Sequence, residues 1–478
     1  MPNFDFKQIN DPIHGSIHLS ELETQIISTA VFQRLHNIKQ LGLGVLVYPS
    51  ANYSRFSHSI GACHLAGRIV DSINKNLPSG SSKRIDDDQK QMYRLGGLLH
   101  DIGHYPFSHT FEHVVENFYK GSFLQDENDT SSVSTATRSL DHEALGKKII
   151  KHDSELQKIF SDNQIDVDQF SKVFNQEDPE FLTEILSSDL DCDRLDYLMR
   201  TAHHAGLPYG HVDVNYLVHN MDIDEKDSLC LRRRALRAAD HMLVSRYYDY
   251  MQLPFHKSVV AFELSLQKVV EYLLKKTLIN CSADELADDI KSGKWKHFDD
   301  QKLMSLIREN SPTDLTEVKH FDAILNRQQP KQVFCRDVVE DKPTDDEERR
   351  EKDFLALLES TITELSERYS IERELWHVWS PTLSITKCGR TVKIGEAENN
   401  GVTEGEKAQL VKIKGIDKND PGASKLLIAC ENTLVSSLSE KVFRGLRVYV
   451  NLAHQENPVK LRQEIEAKFR QKIKTAQT

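Results

Sequence analysis

The sequence predicts a mainly α-helical protein, with a helical core followed by a smaller α+β region. Three observations carry this. Apolar residues recur at helical spacing through about the first 275 positions. Strand-like runs first appear between 376 and 450. Hydrophobic residues make up 39% of the 478 and charged residues 28%, which supplies a sizeable core under a solvated surface. A chain this long exceeds one ordinary core, so two or three structural units are expected. The boundaries read as 1–275 for the helical core and 276–478 for a region that completes the core or forms an oligomer interface.

In chain order, Leu22, Ile26, Ile27, Val31, Leu35 and Ile38 predict a helix over 21–41, ended by Gly42 and Gly44. Ile60, Leu65, Ile69 and Val70 predict a second helix over 58–73, closed by the turn residues at 78–82. Leu95, Leu98 and Leu99 mark a third over 87–102, followed by a turn at Gly103, Pro106 and Ser108. Residues 126–137 read as a polar loop. Helices are expected at 140–151, 181–203 and 232–276, so that the first half is nearly all helix. Asp337 through Lys352 reads as a solvated loop or helix start. Residues 410–413 and 446–450 read as strands, with a loop over 396–406 ahead of them. A charged helix closes the chain over 458–474.

Composition excludes several classes. The net charge is -12 and the pI near 6.0, a poor match for stable binding of duplex nucleic acid. The seven cysteines include no Cys-x-x-Cys pair, so no thiolate zinc site is indicated. The start shows no signal peptide and no run reaches the ~20 apolar residues of a membrane span. A cytoplasmic protein without a membrane partner is expected.

The chemistry centres on His100-Asp101-Ile102-Gly103-His104-Tyr105-Pro106-Phe107-Ser108-His109. An adjacent His and Asp at the end of an apolar helix can aim a ring nitrogen and a carboxylate oxygen at one point. Such donors suit Zn, Mn, Fe or Ni better than a purely oxygen-loving ion. A His-Asp pair alone is a common chance occurrence. His58 in Arg55-Phe56-Ser57-His58-Ser59 offers a third ligand at a helix start. The run Asp189-Leu190-Asp191-Cys192-Asp193-Arg194-Leu195-Asp196-Tyr197 offers a fourth. On a helix Asp189, Asp193, Asp196, Tyr197 and Arg200 share a face, so the residues leave the fourth ligand open among Asp189, Asp193 and Asp196.

The chain resembles the HD-domain deoxynucleoside triphosphate triphosphohydrolases over roughly residues 7–260. The resemblance is carried by Asn10-Asp11-Pro12-Ile13-His14-Gly15, Phe32-Gln33-Arg34-Leu35, Ile38-Lys39-Gln40-Leu41, Arg55 to Ser59, Leu99 to His104 with Pro106 to His109, and Asp193-Arg194-Leu195-Asp196-Tyr197. It implies an HD-domain helical core and metal ligands His58, His100, Asp101 and Asp193 for a divalent cation (Mn, Fe, Zn, Ni or Mg). It implies hydrolysis at the α-phosphorus, with His142 as the proton donor, Glu112 as its acidic partner, and His104 beside them at the phosphates. It implies substrate contacts from Gln40 to the sugar 3′-hydroxyl, from His109 and Tyr197 to phosphate or sugar, and from Arg55, Arg194 and Arg246 to phosphate. A dimer or tetramer is implied by the resemblance alone.

Two positions depart from the family. Thr201 stands where the family has an aspartate bound to the sugar 3′-hydroxyl, and Pro254 stands near a tyrosine that excludes a 2′-hydroxyl. Both bear on strict deoxyribose selection. At the family's guanine activator site Gln33 is kept, but Ser28 and His36 replace its acidic and basic partners. A different nucleotide activator, or none, fits equally well. The competing functions are an HD-type phosphodiesterase or nuclease for cyclic or short nucleotides, in which His104 and His109 serve a second metal, and a non-catalytic nucleotide sensor.

Overall fold

The computed structural model describes residues 4–123, 140–175, 180–341, 345–385 and 409–477. The loops expected at 126–137 and 396–406 lie outside the described residues. The chain is mainly helical, with small sheets concentrated towards its C-terminal part.

It opens on a hairpin, β1 (Lys7–Asp11) and β2 (Gly15–Leu19), registered Ile9 against Ile17. Gly15 supplies the left-handed turn at φ 71°, a region costly to residues with a Cβ. This hairpin is an exception within a first half that is nearly all helix, as expected. The helix expected over 21–41 is corrected. It is α1 (Glu21–Ile27), α2 (Ala30–Gln33) and two 3-10 turns over 34–37 and 42–46. Ser20 and Glu23 form a capping box that starts α1, and Thr29 caps α2 anew. Each cap satisfies amide hydrogens that would otherwise lack partners, so two short helices replace one long one.

Helix α3 (Arg55–Asn76) buries Ile60, Leu65, Ile69, Val70 and Ile73. It packs on α4 (Asp87–Leu99), which starts at the capping Asp86. A fully buried Leu or Ile contributes roughly 1.5–3 kcal/mol, so this pair is a rigid base for whatever its ends carry. His100 is the C-cap of α4, and a tight turn leads to α5 (His109–Phe123). The expected helix over 87–102 therefore stops short, leaving the His-Asp pair on its end. Helix α6 (His142–His152) follows.

Helix α7 (Cys192–Ala205) begins at its cap Asp191 and ends at left-handed Gly206. The helix expected from 181 is corrected to a 3-10 turn at 183–185 and then α7. The long helix expected over 232–276 is instead α8 (Leu236–Gln252) and α9 (Lys257–Lys275), preceded by the hairpin strands β3 (Met221–Ile223) and β4 (Leu229–Arg232). Pro254 lies in the break, where its missing amide hydrogen does no harm.

Beyond α9, α10 (Asp300–Glu309) leads to β5 (Lys331–Asp341) and α11 (Asp345–Tyr369). The helix start expected within Asp337 through Lys352 is the beginning of α11, while its first residues are the end of β5. Strands β6 (Trp376–Trp379), β7 (Thr382–Ser384) and β10 (Lys441–Val450) join β5 in an antiparallel sheet. Strands β8 (Lys412–Lys414) and β9 (Ser424–Leu426) extend the β3–β4 sheet, β8 running parallel to β4. Helix α12 (Pro458–Gln477) closes the chain. The larger core gathers residues from Ile17 to Val435. A smaller core from Val333 to Phe469 lies under β5, β6 and β10. Among the described residues no helix is long and apolar enough to cross a membrane.

Candidate active site

Three helices converge on one point. His58 sits in the first turn of α3, His100 and Asp101 at the end of α4, and Asp193 in the first turn of α7. His58 Nε2 lies 3.3 Å from His100 Nε2, 2.9 Å from Asp193 Oδ1 and 3.7 Å from Asp101 Oδ2. His100 Nε2 lies 3.3 Å from Asp101 Oδ1 and 3.7 Å from Asp193 Oδ1. Donor atoms bound to one cation at about 2.0–2.2 Å are separated by about 3–3.6 Å, so these spacings fit a shared divalent metal. The far sides of the rings agree. His58 Nδ1 is 2.7 Å from Asp196 Oδ2, and His100 Nδ1 is 2.9 Å from the Gly97 carbonyl. A partner on Nδ1 fixes the tautomer that leaves Nε2 free to ligate.

The three candidate aspartates separate cleanly. Asp189 lies before α7 rather than on it, and pairs with Arg246 at 3.1 Å and Arg194 at 3.5 Å. Asp196 is buried behind His58 and is also held by His14 at 2.6 Å and by Arg200 through two bonds of 2.8 Å. Arg200 reaches on to Asp11 at 2.7 Å, so the Asp11–His14 motif braces the carboxylate behind the cluster. Gly61 permits this approach, since a Cβ there would collide with Asp196 and Arg200. Asp193 alone of the three carries an oxygen to the facing ring nitrogens.

Charge follows from these contacts. Burial works against a charged His58, but Asp193 and Asp196 outweigh it and push it up to about 10. Burial also opposes ionised Asp101, yet Arg55, His100 and His104 hold its carboxyl well below the usual range. Arg55 is buried, with Nη1 2.5 Å from Asp101 and Nε 2.9 Å from Ser108 Oγ.

Beside this cluster lies a second. Glu112 Oε1 accepts from both Nδ1 and the backbone amide of His142, each at 2.7 Å, and Oε2 is 3.0 Å from His109 Nδ1. Burial disfavours a charged His142, but Glu112 prevails and raises its pKa, while the histidines lower that of Glu112. His104 stacks on His142 with centroids 3.9 Å apart and planes 16° from parallel. His104 Nε2 lies 3.2 Å from Asp101 Oδ1, and its Nδ1 is buried with no hydrogen-bond partner. Burial, Arg55 and His142 push the His104 pKa well below normal. These four side chains lie close enough to suggest a second cation. The stacking argues otherwise. An ion shared between parallel rings 3.9 Å apart would lie about 2 Å outside each ring plane, away from the nitrogen lone pairs used for ligation.

The turn between the clusters is held from outside. Phe107 and Ser108 are both left-handed, at φ 54° and 57°, which costs energy at a non-glycine residue. Asp300, capping no helix turn here but reaching from the start of α10, accepts from Phe107 N at 2.7 Å and Lys39 N at 3.0 Å. Arg34 ties the His104 carbonyl, at 2.5 Å, to that of Phe298, at 2.7 Å. Gly103 lets the turn press on the backbone of His142 and Gly146.

A cavity of about 680 Å³ opens over both clusters. Of the residues marked in the sequence, His100, Asp101, His104, His109, His142 and Asp193 line it. Gln40, Arg55, Arg194 and Tyr197 line it too, as do the two departures Thr201 and Pro254. His58 and Glu112 stand behind the wall. Arg246 is not on the wall and points to Asp189. Lys147 and Glu263, which the sequence reading passed over, also line it, as does Asp249. Lys147 was findable: Glu143, Gly146, Lys147 and Ile150 form one helical stripe on α6 facing the cavity. Burial lifts the Glu263 carboxyl to about 7.

Comparison with known proteins bears on this geometry. The family model of the HD domain matches residues 55–200, the span that carries every member of both clusters. A protein of unassigned role from Methanocaldococcus jannaschii is 32% identical over 328 residues, covering 66% of this chain and 61% of its own length. The human deoxynucleoside triphosphate triphosphohydrolase SAMHD1 is 33% identical over 213 residues, covering 42% of this chain and 34% of its own. The chain thus spans less than two thirds of each. A crystal structure of a phosphohydrolase from Bacteroides thetaiotaomicron superposes with a TM-score of 0.66 at 21% identity, covering 93% of this chain and 99% of that one. The chain carries an HD domain over residues 55–200 and shares its overall fold with the Bacteroides structure, and it is similar to the triphosphohydrolase over part of its length.

Proposed function

We propose that the protein is a metal-dependent hydrolase that converts deoxynucleoside triphosphates to deoxynucleoside and tripolyphosphate. The observation that carries the reading is one cavity bordered by both the His58/His100/Asp101/Asp193 cluster and the Glu112–His142 pair. His58, His100, Asp101 and Asp193 would hold a divalent cation, which would supply a Lewis acid for a phosphoryl oxygen and for bound water. His142 keeps a proton on its Nδ1 side for Glu112 and presents Nε2 to the cavity. Protonated there, it delivers that proton to the 5′-oxygen as the bond to the α-phosphorus breaks. Glu112 stabilises the imidazolium form that does this. The departing chain of phosphates carries about three to four negative charges, which Arg55, Arg194 and Lys147 face. His109 and Tyr197 add polar contacts, and Gln40 meets the sugar.

The competing reading, a phosphodiesterase or nuclease with a second metal on His104 and His109, draws on rings that meet edge to face with centroids 4.9 Å apart; His109 Nδ1 is taken up by Glu112 and His104 stacks on His142. Described residues of the C-terminal region add to both cores, and an interface for a dimer or tetramer belongs to the same proposal. The deciding test is to incubate the full chain with Mn²⁺ and a panel of dNTPs, NTPs and cyclic dinucleotides, and to resolve products by ion exchange. Tripolyphosphate with nucleoside supports the proposal. Nucleoside monophosphate without tripolyphosphate overturns it.

A further inference from the structure

A stretch of the cavity wall that takes no part in the two clusters is built by Gln40, Tyr53, Thr201 and Asp249. Its groups are linked. Gln40 N donates to the Tyr53 carbonyl at 3.2 Å, and Tyr53 Oη meets Thr201 Oγ1 at 2.6 Å. Thr201 is buried with its hydroxyl committed to that bond. Asp249 lies on α8 and is 5% exposed. Its Oδ1 accepts from the buried Tyr209 hydroxyl. Among the described residues no Lys, Arg or His nitrogen comes within ion-pair distance of it, and burial raises its carboxyl to about 7. Gln40 Oε1 is likewise buried and lacks a hydrogen-bond donor.

Buried acceptors left without donors are costly, and native proteins rarely keep them idle. Gln40 Oε1 is one such acceptor on this wall, and Asp249, whose Oδ1 is taken by Tyr209, accepts no hydrogen bond at Oδ2 from the described residues; the two together call for a ligand that brings donors. Cations and phosphates are served elsewhere in the cavity, so the matching chemistry is a neutral hydroxyl. We infer that Asp249, together with Gln40, binds a sugar hydroxyl of the nucleotide and sets which sugars the cavity accepts. The inference rests on the nucleotide reading above. It also accounts for Thr201: the carboxylate that the resemblance places there is supplied from the neighbouring helix instead. Tyr209 is the positioning residue that orients it.

The test uses the full chain with Mn²⁺ and the deoxy-, 2′,3′-dideoxy- and ribonucleoside triphosphates of the base turned over fastest. A hydrogen bond to a buried carboxylate is worth roughly a 10- to 100-fold preference. Asp249→Ala is therefore expected to lower the wild-type ratio of kcat/KM, deoxy over dideoxy, by about that factor. Asp249→Asn keeps the Tyr209 bond and serves if the alanine variant melts early; it narrows the ratio by a smaller factor in the same direction. A change confined to the ribo-to-deoxy ratio supports the inference with the 2′-hydroxyl as the group read. Equal losses on all three nucleotides, or unchanged ratios in both variants, overturn it. No turnover of any nucleotide by the wild type overturns the functional reading and this inference with it.

Discussion

The two histidine clusters lie side by side, yet they are built for different work. In the His58/His100/Asp101/Asp193 cluster each ring is anchored from behind, by Asp196 or by the Gly97 carbonyl, and the free Nε2 atoms converge at 3.3 Å. In the other, His142 and His109 turn Nδ1 towards one carboxylate, Glu112, and His142 stacks on His104. Anchored rings aimed at one point hold a cation. A ring on a carboxylate, with its other nitrogen facing a cavity, holds and releases a proton. On the proposed reading the same residue types serve two chemistries, and what separates them is the side of the ring that receives a partner.

The largest effect that could break this contrast is expected at Asp101. Asp101→Ala removes a ligand and strands buried Arg55, so metal content and turnover should both vanish, the latter by on the order of 10³-fold or more. Retained stoichiometric metal, read by atomic emission, would refute the ligand set. His142→Ala should sharpen the contrast from the other side. Metal content stays at the wild-type level while kcat falls about 10²- to 10⁴-fold; near wild-type turnover would remove His142 from the mechanism. Asp196→Asn leaves all four ligands in place but weakens the anchor of His58, so metal affinity should drop by about 10- to 100-fold. An unchanged affinity in a metal titration would deny Asp196 its anchoring part.

The smallest effect is a shift in pH dependence. Glu112 raises the pKa of His142 against the opposing pull of burial. A proton donor works below its pKa, so activity should decline on the alkaline side as pH rises through that raised value. Glu112→Gln removes the supporting charge and should move the alkaline limb of kcat to lower pH. The stability from this pair has the same sign: it is full below the ordinary histidine pKa and lost as pH climbs through the raised one. A limb that stays in place in the variant would mean that another group sets it.

Much of this was readable from sequence, and the failures have physical causes. Helices α3 and α4 follow from their apolar periodicity, because both bury a continuous face. The stretch over 21–41 has the same periodicity, but the local bonds of Ser20, Glu23 and Thr29 divide it. Of the site, His58, His100 and Asp101 stand out because their types and order are unusual. Asp189, Asp193 and Asp196 could not be separated, since all three match one helical face. The separation depends on where α7 begins, and Asp191 sets that by capping it. Arg246 was expected at the phosphates, whereas its guanidinium is drawn to Asp189. The placement of Asp249 could not be read locally, because its setting depends on Tyr209, 40 residues away and on a separate element.

The central claim, metal-assisted attack at the α-phosphorus with His142 protonating the departing nucleoside, is tested most directly by hydrolysis in ¹⁸O-labelled water. Mass spectrometry of the products should find one labelled oxygen in intact tripolyphosphate and none in the nucleoside. Label in orthophosphate or pyrophosphate, with nucleoside mono- or diphosphate as the other product, would contradict it.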